Sequence, residues 1–88
     1  MTRSLEELET EEIQILQMVN ESHDVMSGMA RLNILNQMSQ FAMYGNTSFD
    51  AKKVQEFLDI LIEEGFLTHN PDVDRYNITK QGKDVLLD

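Results

Sequence analysis

The side chains with catalytic or metal-binding potential are few. His23 and His69 are the only imidazoles in the 88-residue chain, and it contains no cysteine. Without thiols, neither a disulfide nor a thiolate metal site is available. His69 lies close in sequence to Asp72 and Asp74, but a metal site of this kind needs three or more converging ligands, and residues set around Pro71 read as a solvated turn. Asn70, Asp72 and Asp74 imitate the first three ligand positions of a calcium loop. The pattern then fails, because Arg75 stands where glycine is required and Gln81 where the bidentate glutamate belongs. No serine sits in a Gly-x-Ser-x-Gly elbow, and no glycine-rich phosphate loop is present. These residues read as a protein that is not an enzyme and carries no metal or cofactor.

The chemistry that is left is recognition at a surface. A helix starting near Asp50 carries Lys52, Lys53, Gln55, Glu56, Asp59, Ile60, Glu63 and Glu64 outside its apolar stripe, basic in the first turn and acidic beyond it. Ser48, Lys52, Lys53 and Gln55, with Thr47 beside them, are the candidates for touching nucleic acid, and Arg31, Arg75 or Lys80 for holding phosphates. Glu56, Asp59, Ile60 and Glu63 form the rival site. An apolar residue inside an acidic rim is an arrangement that suits a protein anchor steered by charge, although a lone exposed isoleucine is also ordinary. The formal net charge of −9 and the pI near 4.4 weigh against a polyanionic partner, whose binding rests on Lys and Arg. Three partner types follow: a protein or a second copy of the chain, a DNA duplex bound by a homodimer, and a nucleic-acid-binding enzyme for which the chain acts as an acidic decoy.

Stepping along the chain gives the elements that position these residues. Val54, Phe57, Leu58, Leu61 and Ile62 recur at i, i+3, i+4, i+7 and i+8, one apolar stripe on an α-helix. Asp50 or Ser48 caps its start, and Gly65 ends it in the position where a left-handed conformation favours glycine. Phe66 to His69 is short and extended, Asn70-Pro71-Asp72 turns the chain, and Arg75 to Thr79 alternates with Tyr76 and Ile78 on one face, so a hairpin is expected. Thr79 to Leu87 then forms a last short helix, with a loose first turn expected at Gly82.

In the first half, Ser4 and Glu7 fit a capping box. Thr10, followed by Glu11 and Glu12, offers a second helix start, favoured by carboxylates in the first turn. A helix is expected from Thr10 to Asn20, with Leu8, Ile15, Leu16 and Val19 facing inward. A second, long helix is expected between Val25 and Tyr44, stopped by Gly45-Asn46. It carries one stripe of Ile34, Leu35, Met38, Phe41 and Ala42, and another of Val25, Met29 and Leu32. That second stripe reads either as the centre of the core or as a dimer face. The methionines, Met18, Met26, Met29, Met38 and Met43 among them, read mostly as core filler.

The run Leu61-Ile62-Glu63-Glu64-Gly65-Phe66-Leu67, the return Tyr76-Asn77-Ile78-Thr79-Lys80-Gln81-Gly82 and the following Leu86 and Leu87 resemble the C-terminal half of winged-helix domains of the MarR and PadR type. The resemblance covers under half of the chain. It implies a mainly α fold with a small β-ribbon, three to four helices and a two- or three-stranded wing, and a regulatory role. Such folds serve repressors, general transcription factors and protein adaptors alike.

The totals fit this reading. A chain of this length makes one domain, residues 1–88, with residues 1–9 as an acidic leader. No apolar run approaches the roughly 20 residues of a membrane span, and the acidic N-terminus lacks the apolar core of a signal peptide. The expected location is the cytoplasm.

Overall fold

The computed structural model describes residues 3–22 and 28–87. A 3-10 turn at Leu5–Glu7 leads into α1 (Thr10–Asn20), β1 (Met29–Ala30), α2 (Arg31–Tyr44), α3 (Ala51–Glu63), β2 (Leu67–Asn70), β3 (Arg75–Ile78) and α4 (Lys80–Leu86). The three strands form one antiparallel sheet in the order β1-β3-β2. The architecture is α+β, mostly helical with a β-wing, and is compatible with a winged helix.

α1 is the hub, packed against α2, α3, α4 and β3. Its Ile15 and Leu16 meet Ile34 of α2, Leu58 and Leu61 of α3, and Phe66, Leu67 and Tyr76 of the sheet region in a core where none of these is more than 2% exposed. Burying a side chain of this size contributes about 1.5–3 kcal/mol each. α3 follows the periodicity in its sequence: Val54, Leu58 and Leu61 are buried, and Phe57 and Ile62 pack partly buried against them. Asp50, not Ser48, is the cap, its Oδ1 accepting from the N–H groups of Lys52 and Lys53 at 3.0 and 3.4 Å. The helix closes with Gly65 at φ +85°, the Gly65 N–H donating to Ile62 O (3.0 Å) and the Phe66 N–H to Leu61 O (2.9 Å). This doubly bonded C-terminal turn satisfies two carbonyls that the helix leaves open.

Four expectations are corrected. The helix expected between Val25 and Tyr44 begins only at Arg31. Gly28, at φ +89°, and the strand Met29–Ala30 replace its first turns, and Met29 and Ala30 pair with Tyr76 and Arg75. A Cβ at Gly28 would stand 2.6 Å from Tyr76 O, so that close approach needs glycine. The stripe of Val25, Met29 and Leu32 is therefore not one helix face. Met29 is in the core, Leu32 is 74% exposed on α2, and Val25 lies outside the described residues, as do His23 and Met26. At the N-terminus, Ser4 and Glu7 do pair, with the Ser4 N–H donating to Glu7 Oε1 at 3.1 Å, but they cap the 3-10 turn. Thr10 is the first residue of α1 rather than its cap. The Glu9 N–H donates to Glu12 Oε1 at 2.9 Å, so Glu9 holds that place.

The fourth correction concerns Gly82. Its turn is not loose: Thr79 Oγ1 accepts from its N–H at 3.0 Å, and the residue is buried. A Cβ there would run into the Phe66 carbonyl oxygen and come within 2.8 Å of Ile78 Cγ1. Backbone-to-backbone contact, not helix propensity, explains this glycine.

Among the described residues, Glu12 is the buried charge, 1% exposed. Arg3 donates to both of its carboxylate oxygens, at 3.2 and 2.5 Å, and its Nε bonds Glu64 Oε1 at 2.8 Å, so the leader is tied to α1 and to the end of α3. Hydrogen bonds to the two carboxylates raise the Arg3 pKa well above its ordinary value, Glu64 contributing most and Glu12 next.

Two stability predictions follow from this packing. Arg3→Ala leaves a buried carboxylate without its cation and lowers unfolding free energy by about 3 kcal/mol, more than Glu12→Gln, as urea denaturation would read. Gly82→Ala lowers it by about 2 kcal/mol through overpacking, whereas a variant at exposed Lys83 leaves the midpoint unchanged.

Candidate functional site

α3 sets its outer side chains by the same periodicity that buries its stripe. Lys52, Lys53, Glu56, Asp59 and Glu63 are exposed, and Ile60 is 39% exposed among them. Ser48 is exposed just before the cap, in the loop of residues 45–50. That loop is pinned by the Thr47 N–H and Oγ1, which donate to Ala42 O at 2.9 and 3.2 Å. The two candidate sets therefore meet on α3, with Ser48 in the loop ahead of it, lysines in its first turn and carboxylates from Glu56 onward.

The remaining polar candidates are held inside the chain. Gln55 is half-buried. Its Nε2 donates to Asp59 Oδ1 at 3.1 Å and to the Tyr76 hydroxyl at 3.4 Å, and its Oε1 accepts from Arg31 Nη1 at 3.3 Å. Arg31 Nε in turn donates to Asp74 Oδ2 at 3.0 Å, and its backbone N–H to Asp74 O at 3.1 Å. His69 Nε2 lies 2.8 Å from Asp74 Oδ1, and its ring stacks on Tyr76 with centroids 4.5 Å apart. Arg75 Nη2 donates to Gly28 O at 2.7 Å. A polar chain Asp59–Gln55–Arg31–Asp74–His69 thus runs from α3 across the start of α2 to the wing. Arg31 and Arg75, read from sequence as phosphate contacts, each hold an internal partner.

Asp74 is the junction of that chain. Its backbone is left-handed at φ +52°, which aspartate tolerates better than most residues. Hydrogen bonds from His69 first, and then Arg31, hold its carboxyl below the ordinary value, and the same contact raises Arg31. Across the wing turn, the Asp72 N–H donates to Asn70 Oδ1 at 3.1 Å, so the would-be calcium ligand is closing a turn. Among the described residues, no three histidine, aspartate or glutamate side chains converge as metal ligands would. No helix among them is long and apolar enough to cross a membrane.

Sequence reasoning missed two features. The Arg31–Asp74 and Arg3–Glu64 pairs join residues 43 and 61 positions apart, and local spacing carries no sign of either. The other is a groove of about 630 Å³ where the ends of α1, α2 and α3 meet, floored by Met38, Phe41 and Phe57. Its only sequence signal is the density of aromatic residues between Phe41 and Phe57.

The lowered Asp74 pKa gives a pH dependence with a definite sign. The carboxylate stabilises the native wing at pH above its unfolded value, and that contribution disappears as pH falls through the lower native value. The stability gap between the native chain and Asp74→Asn is therefore constant near neutrality and closes below about pH 4. Thermal melts of both chains across pH 2–7 would test it, and a gap unchanged at the acid end would contradict the pairing.

No protein-family model, no curated protein and no solved structure matches this chain.

Proposed function

We propose that this chain is a non-enzymatic regulatory module of winged-helix type, similar in its C-terminal half to MarR and PadR domains, that docks a basic protein on the outer face of α3. The observation that carries this reading is the exposed Ile60 set among exposed Glu56, Asp59 and Glu63. An apolar centre with an acidic rim excludes water at its middle and draws cations at its edge. The engagement of Arg31 and Arg75 within the chain supports it further, since a phosphate contact would have to compete with those bonds.

A second reading, a homodimeric DNA-binding regulator, is favoured by one observation: Ser48, Lys52 and Lys53 are exposed around the first turn of α3, the part of such a helix that reaches base edges. Against the decoy reading stands the change of sign along this helix, since a mimic of DNA needs an unbroken negative face.

The test is fluorescence polarisation at low salt with two probes, a Lys- and Arg-rich amphipathic peptide and a random duplex. The peptide is expected to bind, to release with added salt, and to lose at least about tenfold in affinity with Glu56→Lys/Asp59→Lys or with Ile60→Asp. Tight duplex binding abolished by Lys52→Glu/Lys53→Glu would establish the second reading in its place.

A further inference from the structure

The acidic face of α3 does not stop at Glu63. The Glu64 N–H donates to Ile60 O at 2.9 Å, so the helical path continues through this residue. Glu64 therefore stands one turn beyond Ile60, as Ile60 stands one turn beyond Glu56, and the three form a row with Glu63 beside it. The far end of that row already holds a cation, and the chain itself supplies it. Arg3 Nε donates to Glu64 Oε1 at 2.8 Å, and Arg3 Nη2 lies 2.7 Å from the same oxygen.

The guanidinium uses its whole fork. Beyond the two contacts to Glu64, Nη2 and Nη1 donate to the two oxygens of Glu12, and Nη1 reaches Glu7 O at 3.4 Å. The two carboxylates differ in their access to water. Glu12 is 1% exposed, whereas the side chains of Glu64 and Arg3 are 18% and 28% exposed. A second cation can approach Glu64 from solvent while Arg3 keeps its bonds to Glu12. Ion pairs within reach of water contribute little to stability one at a time, so this half of the contact is the half that can exchange.

The leader is otherwise a poor match for an acidic surface. Residues 4–9 include Glu6, Glu7 and Glu9 and no cation. Their other hold on the fold is apolar, with Leu8 buried and Leu5 packed against the core. Arg3 thus brings to the end of the acidic row the chemistry that a basic partner would bring there.

We propose that Arg3 is an autoinhibitory contact: it occupies the Glu64 end of the acidic face of α3, and an arginine of the docked protein displaces it from that carboxylate. This inference rests on the docking reading of α3 and adds its regulation. Arginine is the side chain that fits the exchange, because its planar fork can meet Glu64 with two donors as Arg3 does. With Arg3 in place the face lacks one free carboxylate, so the native chain binds below its full affinity. Release of Arg3 from Glu64 restores the row from Glu56 to Glu64.

Fluorescence polarisation with an Arg-rich amphipathic peptide, on the full chain at low salt, tests this. The paired substitution Arg3→Ala/Glu12→Gln frees Glu64, leaves no buried carboxylate without a cation, and keeps the formal net charge at −9 because one charge of each sign is lost. It is expected to bind the peptide about fivefold tighter than the native chain, with circular dichroism unchanged. Adding Glu64→Gln should remove the gain. Arg3→Lys also keeps the net charge, and its single ammonium holds two carboxylates less firmly than the fork. It should raise affinity by a smaller factor, and it carries the test if the paired variant does not fold. Peptide binding by the native chain that neither variant strengthens overturns the inference and leaves the docking reading standing. A gain that survives Glu64→Gln overturns it by placing the effect elsewhere. A peptide bound by none of these chains removes the docking reading, and this inference with it.

Discussion

One carbonyl group, that of Phe66, ties the C-terminal half together. It accepts from the Thr79 N–H at 3.0 Å, and the single hydroxyl hydrogen of Thr79 is aimed mainly at Gly65 O, 2.6 Å from Oγ1, with Phe66 O beside it at 3.1 Å. The same hydroxyl accepts from the N–H of Gly82, whose bare α-carbon lies against the Phe66 carbonyl. The end of α3, the start of β2, the end of β3 and the first turn of α4 therefore meet around one peptide unit. Phe66 itself is fully buried, so the polar bonds on its backbone and the apolar contacts of its ring fix the same point. A buried carbonyl of this kind must be satisfied. Thr79 satisfies it while capping α4, and the helix can reach that position only because Gly82 has no side chain to obstruct it.

With this junction set, the orientation of α3 relative to the wing is determined, and the surface chemistry follows from it. The wing returns its Asp74 to the start of α2, where Arg31 meets it, and Gln55 links that pair to Asp59 on α3. Bonds between partly exposed side chains contribute little to stability one at a time. Their consequence here is chemical: among the described residues, the charged side chains of α3 that stay clear of internal bonds are Lys52 and Lys53 at one end and Glu56 and Glu63 further along. A helix that would need cations along its length to hold a polyanion shows carboxylates over most of it. The apolar groove lies on a different arc, so one element of 13 residues presents two surfaces of unlike character.

Much of the fold was legible from local pattern. The stripe of α3, the Asp50 cap, the Gly65 terminator, the hairpin and the bounds of α1 all depend on residues within a few positions of one another, so spacing and turn chemistry suffice to locate them. The failures share a cause. Met29 and Ala30 became a strand rather than a helix because β3 offers them unpaired backbone groups and Gly28 admits the approach of Tyr76. Gly82 was misjudged because the reason for it is Phe66, sixteen residues away. Of the candidate site, the exposure of Ile60 and its acidic neighbours was readable from their place off the apolar stripe. The internal partners of Gln55, Arg31 and Arg75 were not.

The sequence by itself determined a small mixed fold with an amphipathic α3, a hairpin behind it and an excess of negative charge, since periodicity and composition are properties of the chain before it folds. Only the tertiary structure decided that Met29 belongs to the core, that Arg31 and Arg75 bond within the chain, and that an apolar groove opens beside Tyr44. Each of these depends on which distant groups come within hydrogen-bond or van der Waals range. Those interactions act over a few ångströms in space, whatever the separation along the chain.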